Sequence, residues 1–252
     1  MIGASAVLAW VMITGLVLMV WPVVAVGVPD GVTRNAGWLA VSGVANVVGL
    51  FSVYAALRRG KVGVVSAIAS TEGAVAAVIA AAGGEAIGLG TGLLLAVITG
   101  GVFLASLAPV DGGGRMLDAA ALSAVAALCF GLGLYSTGRV SDEVPLVWVA
   151  FPARLAGVAA VAIPLALAGR LVLTKKAAPL VVASGVLEVA GILAYGLGAR
   201  HGIAVTAVLA SQFAAIAAIG AFLLFRERLV RIQVTGVVAV ALGVAALAAL
   251  RA

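Results

Sequence analysis

The feature that most constrains this chain is a series of continuous apolar runs, each about 20 residues long, separated by short charged, glycine or proline breaks. A run of that length, wound as a helix, matches the hydrocarbon thickness of a bilayer. Backbone N–H and C=O groups find no water there, so only helices or a closed barrel can span it. Barrel strands alternate apolar and polar residues over about 10 positions. These runs do not alternate. The sequence therefore predicts an all-α, polytopic helical membrane protein with the lipid bilayer as its partner. Composition agrees: 65% of the 252 residues are hydrophobic and 10% are charged, where soluble domains have about half and about a quarter.

The breaks define nine predicted spans: residues 2–26, 37–57, 62–82, 87–107, 117–138, 145–168, 179–199, 203–225 and 229–250. A glycine-rich charged stretch, Asp111-Gly112-Gly113-Gly114-Arg115, follows the fourth. The predicted organisation is a first repeat of four spans (1–108), a linker (109–116) and a second repeat of five (117–252). The opening apolar run is too long for a signal-peptide core and lacks its basic flank, so it reads as a retained span. Arg58, Arg59, Lys61, Arg115, Arg170, Lys175, Lys176, Arg226, Arg228 and Arg231 fall on one side of this arrangement. Arg34, Arg139, Arg200 and Arg251 fall on the other. The positive-inside rule puts the first group in the cytoplasm, with the N-terminus inside and the C-terminus outside.

Several function classes find no support. The basic residues lie in short loops without interleaved aromatics, so the net charge of +6 does not point to nucleic acid. His201 is the only histidine and Cys129 the only cysteine, so no metal-ligand cluster is expected. No nucleophile elbow or phosphate-binding loop occurs. No catalytic residue, metal or cofactor is expected.

The chain carries an internal repeat. One fixed offset, without a gap, sets Ser42-Gly43-Val44 on Ser184-Gly185-Val186, Gly49 on Gly191, and Arg58 and Gly60 on Arg200 and Gly202. It also sets Pro22 on Pro164, Glu85 on Glu227, and Gly101-Val102 on Gly243-Val244. Alanine and valine matches are cheap at this composition, but the chain has only nine acidic residues, so the glutamate match carries weight. The offset moves the chain by five spans, an odd number. Each span then meets its partner upside down, which is the inverted-topology arrangement of many secondary transporters. The fifth span has no partner ahead of the first, so a ten-span version needs one more helix before Met1.

The residues also resemble a known family. Phe222-Leu223-Leu224-Phe225-Arg226-Glu227-Arg228-Leu229, with Gln233-Val234-Thr235-Gly236 and Ala241-Leu242-Gly243-Val244, is similar to the last hairpin of the EamA-type drug/metabolite transporters. Gly83-Gly84-Glu85 with Gly100-Gly101-Val102 resembles a first copy, and the stretch from Asp118 to Arg154 resembles the family's entry to its second half. The resemblance implies two five-helix repeats and metabolite transport across the inner, cytoplasmic membrane. This chain departs from it in lacking a recognisable first helix and in a charge bias that places its C-terminus outside.

Ionisable residues inside spans are costly and usually functional. Three stand out: Glu72, Arg154 and Glu188. Ser184, Glu188, Gly191 and Tyr195 follow i, i+4, i+7 and i+11, one face of a helix. The repeat partners Ser42, Asn46 and Gly49 follow the same spacing in the second span. Such a stripe lines a cavity or serves as helix–helix glue. Arg154 either binds an anionic group or snorkels to the nearer surface. Glu72, central in the third span, is placed inward and suits proton coupling, against a structural hydrogen bond. Gln212, the repeat partner of Ser70, is a further candidate in the eighth span, with Ser211. Glu85 and Glu227, at span starts, read as helix caps or ties between repeats.

The expected function is a secondary transporter, an exporter of a small metabolite or amino-acid-like compound, working by alternating access and proton-coupled through Glu72 and Glu188. Its substrate site is expected to include Asn46, Arg154, Glu188, Tyr195 and Gln212. A homodimer is left open. The alternative is a lipid-handling membrane protein, such as a flippase subunit or an intramembrane enzyme.

Overall fold

The computed structural model describes residues 4–60, 62–106, 116–212 and 231–251. Every regular element among them is helical. In chain order these are α1 (Ala4–Val26), α2 (Asp30–Arg34), α3 (Ala36–Leu57), α4 (Val62–Ala69), α5 (Glu72–Ala82), α6 (Leu89–Ser106) and α7 (Met116–Val140). Then come α8 (Leu146–Gly157), a π-helical stretch (Val158–Ala162), α9 (Ile163–Leu167), α10 (Ala178–Ala199), α11 (Ile203–Ala210) and α12 (Arg231–Arg251). Among the described residues, five helical segments are long and apolar enough to cross a membrane: Ser5–Val26, Ala36–Leu57, Asp118–Val140, Leu146–Leu167 and Ala178–Ala199. The protein is thus a multi-pass helical membrane protein. The predicted linker core Asp111–Arg115, the hairpin motif around Glu227, and Lys61 lie outside the described residues.

The third predicted span is two helices. Thr71 donates both its backbone N–H (3.1 Å) and its hydroxyl (2.7 Å) to the Ile68 carbonyl. That tight turn ends α4 at Ala69, and α5 restarts at Glu72. Short hydroxyl side chains compete in this way for helix carbonyls. In the eighth predicted span the described residues end at Gln212. α11 closes at Ala210, where the Ser211 hydroxyl donates to the Val208 carbonyl at 2.9 Å. The sixth span carries Pro152 inside α8 and then widens into the π-helical turn. Proline removes one ladder hydrogen bond, and single π turns are common at functional sites.

Contacts divide the chain into two compact units. The first comprises Met1–Val47 and Ser136–His201, the second Val48–Tyr135 and Gly202–Ala252. Each therefore draws on both predicted repeats. In the first unit α1, α8 and α10 pack on one another. One small core gathers Ala9, Val161 and Ala162, and another Met19, Ala150 and Val189. At one end of this unit, Asn35 Nδ2 donates to Glu143 Oε2 at 2.8 Å. Trp148 Nε1 donates to the Gly27 carbonyl, and Arg200 Nε to the Ser141 carbonyl, both at 2.8 Å. Three connections between helices are thus fastened to the α7–α8 turn or to the first turn of α8. In the second unit α12 lies along α6, and α5 crosses α11.

Candidate functional site

The first unit brings Arg154 and Glu188 together. Arg154 is on α8, between Pro152 and the π turn, and it is wholly buried. Its stem crosses α1 at Gly15, where an added methyl would come within 2.6 Å of Arg154 Cδ and 3.2 Å of Val189 Cγ2. Glycine at that position clears a path for the side chain. Gly157 does the same beside Met12, whose sulfur would lie 2.7 Å from an added methyl. Arg154 therefore stays inside the packing and does not snorkel.

Glu188 stands at the middle of α10. Its Oε1 lies 2.8 Å from Arg154 Nη2. The distance is that of an ion pair, yet the angles do not make a hydrogen bond. Nε, Nη1 and Nη2 of Arg154 are all buried without a hydrogen-bond partner. We take the pair as a charge contact with the guanidinium's directional bonding unused. The two partners differ in exposure: the Arg154 side chain is 0% exposed and that of Glu188 36%. Ser184 and Gly191, on the same stripe of α10, are exposed, and Tyr195 is buried. Nothing lies within 4 Å of a methyl placed on Gly191.

The matching stripe on α3 behaves differently. Ser42 shares a hydrogen bond with Thr137 of α7 at 2.8 Å, in the first unit. Gly49 sits against Phe130 of the same helix, in the second, where an added methyl would meet the ring at 2.6 Å. These two positions are packing contacts. Asn46 differs, because its Oδ1 is buried with no partner. Trp10 Nε1, on α1, is in the same state, and nothing in its sequence context marked it.

Glu72 and Gln212 belong to the second unit, where α5 crosses α11. The crossing is made at Gly73. A methyl there would strike Ser211 Oγ and come within 2.5 Å of the Ala207 carbonyl oxygen. Glu72 is the first residue of α5 and is partly buried, and its carbonyl lies 2.8 Å from a methyl placed on Gly131 of α7. Gln212 Nε2 is buried with no partner. Asn46, Arg154, Glu188 and Tyr195 thus belong to one unit, and Glu72 and Gln212 to the other.

Glu85 is a cap for a distant helix. Gly84, at φ 98°, turns the chain after α5, and Glu85 N then donates to the Ala80 carbonyl at 3.0 Å. This is the closing bond of a Schellman turn. It aims the Glu85 carboxylate at the start of α11, where it accepts from Ile203 N (3.1 Å) and Ala204 N (3.3 Å). Gly202, at the N-cap of α11, supplies no side-chain cap of its own.

The second unit also holds a cavity of about 430 Å³. Ala77, Val78, Ala81, Leu95, Ala96 and Val208 form much of its wall, and Thr99 supplies a hydroxyl. No group of three or more His, Cys, Asp or Glu side chains that could hold a metal occurs among the described residues.

No family model matches the chain, and no curated protein matches it either. The fold has counterparts among solved structures. One, described only as "Crystal structure of protein", is similar at a TM-score of 0.81 and 16% sequence identity, over 100% of this chain and 90% of that one. At that identity the likeness concerns the fold alone.

Proposed function

We propose that the protein is a secondary transporter of the EamA type, an exporter that moves a small metabolite or amino-acid-like compound across the cytoplasmic membrane by alternating access. The observation that carries this reading is Arg154, wholly buried within a membrane helix with its guanidinium hydrogen bonds unused. Buried polar groups in proteins are almost always satisfied, and an intramembrane charge is expensive to keep. A planar oxyanion, such as a substrate carboxylate, fits the guanidinium fork. Asn46 Oδ1 offers an acceptor to a donor on the same compound.

The wider architecture supports the same reading. Nine spans in an inverted repeat of four plus five put the third and eighth spans in corresponding places. The turn that breaks the third span, at Ser70–Thr71, and the turn after α11, at Ser211–Gln212, fall within one residue of each other on the repeat offset. Paired discontinuous helices are a feature of transporters with alternating access. Glu72 and Glu188 are the proposed proton-coupling carboxylates, and the protein works without enzymatic chemistry. The test is uptake into proteoliposomes across a metabolite panel, comparing the native protein with Arg154→Gln. Arg154-dependent flux of a carboxylate compound supports the reading, whereas flux indifferent to Arg154 removes its basis.

A second reading, lipid handling, is favoured by the apolar cavity beside α5, α6 and α11. It predicts phospholipid redistribution in vesicles that falls when Ala77→Phe fills the cavity.

A further inference from the structure

We propose that Arg154 and Glu188 form an exchange site, in which a ligand carboxylate replaces Glu188 on Arg154 and the released Glu188 takes up one proton. The proposal rests on reading this pair as a binding site, but not on translocation.

The unequal exposure of the partners sets the direction of the exchange. Arg154 is 0% exposed and its stem lies against Gly15, so it stays where it is. It also keeps its charge, because a guanidinium does not lose its proton in proteins. Glu188 is 36% exposed, and it opens on the uncovered stripe with Ser184 and Gly191. It is the partner that can swing away and meet a proton. The contact between them is a single Nη2–Oε1 approach, with Nε and Nη1 unused. A carboxylate that takes the place of Oε1 on Nη2 can add a second bond from Nη1 or Nε, because each forms an edge of the fork with Nη2.

Charge balance then fixes what accompanies the ligand. Among the described residues, the helices packed on this pair supply no other ionised group. α1 has no acidic, basic or histidine side chain, α8 has only Arg154, and the π turn and α9 have none. α10 adds only the phenol of Tyr195 between Glu188 and the end of the helix. At that end Arg200 faces Asp142 at 3.9 Å and the Ser141 carbonyl. One cation thus faces one anion. A ligand carboxylate would make two anions for one cation, and an uncompensated charge at this depth is costly. A proton on Glu188 restores the balance. The step is balanced as one carboxylate bound to Arg154, one proton moved from water to Glu188, and no change in the net charge of the site.

The probe is propionate, a carboxylate with no cationic group. Its binding to the purified native protein in detergent is measured by calorimetry between about pH 6 and pH 8, in buffers of different ionisation enthalpy. Uptake of one proton with each propionate makes the apparent Kd rise about tenfold per pH unit. Glu188→Gln keeps an amide oxygen for Arg154 and carries no proton. It is expected to bind propionate with a pH-independent Kd and no proton uptake. Arg154→Lys, which keeps the charge but lacks the fork, is expected to weaken binding at every pH. A pH-independent Kd in the native protein, a pH slope that survives in Glu188→Gln, or no propionate binding at all would overturn the proposal. Arg154-dependent flux in vesicles alongside any of these results would leave the transport reading standing and remove only the exchange.

Discussion

Arg154 Nη2 lies 2.8 Å from Glu188 Oε1, joining the middle of α10 to α8 across the inside of the first unit. Removing one partner of a buried ion pair strands the other, and this costs about 3–5 kcal/mol where the survivor is fully buried. The two single variants should therefore differ. Glu188→Leu leaves a wholly buried guanidinium and is expected to cost at the upper end of that range. Arg154→Met leaves a carboxylate that is a third exposed and should cost less. Arg154→Met with Glu188→Leu replaces both charges by apolar groups and should return to within about 1 kcal/mol of the native protein. Unfolding by SDS titration of all four proteins in mixed micelles closes the cycle. A double variant whose cost equals the sum of the two single costs would mean that the pair is not energetically coupled.

Glycine substitutions should separate contact from vacancy. A methyl at Gly73 meets Ser211 Oγ and the Ala207 carbonyl, and the latter is backbone that cannot step aside. Gly73→Ala is expected to cost about 1–3 kcal/mol by overpacking. A methyl on Gly191 meets nothing within 4 Å. Gly191→Ala should stabilise by about 0.5–1 kcal/mol, the helix preference of alanine over glycine. Thermal unfolding in one detergent compares them, and equal losses in the two variants would contradict the α5–α11 crossing.

That pair of glycines also shows what the sequence could and could not reveal. The membrane class and most helix positions were legible, because unbroken apolar runs bounded by charge admit few other structures. Arg154 and Glu188 were legible as individuals, since in-span charges stand out in a chain with 10% charged residues. Their pairing was not, because it depends on how α8 and α10 rotate against α1. Gly15 makes that rotation possible, but in sequence it looks like every other glycine. The stripe of Ser42, Asn46 and Gly49 was visible as a face, yet spacing alone could not show that Ser42 and Gly49 would be spent on Thr137 and Phe130. The break in the third span was hidden too. Ser70-Thr71 is an ordinary polar pair by composition, and only the geometry shows Thr71 taking the Ile68 carbonyl twice.

Glu85 should behave as a remote cap. Its carboxylate takes the N–H groups of Ile203 and Ala204 in the first turn of α11, which no residue of α11 satisfies. Loss of a capping side chain costs about 0.5–2 kcal/mol. Glu85→Ala should therefore speed hydrogen exchange at the Ile203 and Ala204 amides by about tenfold, the equivalent of 1.4 kcal/mol. Glu85→Gln, which keeps an acceptor oxygen but loses the charge that suits a helix N-terminus, should fall between. Unchanged exchange at these amides in Glu85→Ala would show that the cap contributes nothing to α11.

Asn46 and Gln212 allow function to be tested apart from stability. Asn46 Oδ1 and Gln212 Nε2 are each buried without a partner. An unsatisfied buried group is a liability of about 1–3 kcal/mol, so its removal should not harm the fold. Asn46→Val and Gln212→Leu are accordingly expected to unfold at or above the native temperature. If these atoms are kept for a ligand, the same variants should lose substrate flux in vesicles by about tenfold or more, as when a buried polar partner goes missing. Flux at the native level in stable Asn46→Val protein would remove Asn46 from the site. A lower unfolding temperature would instead mark Asn46 as structural glue, through an amide nitrogen that holds α3 in place.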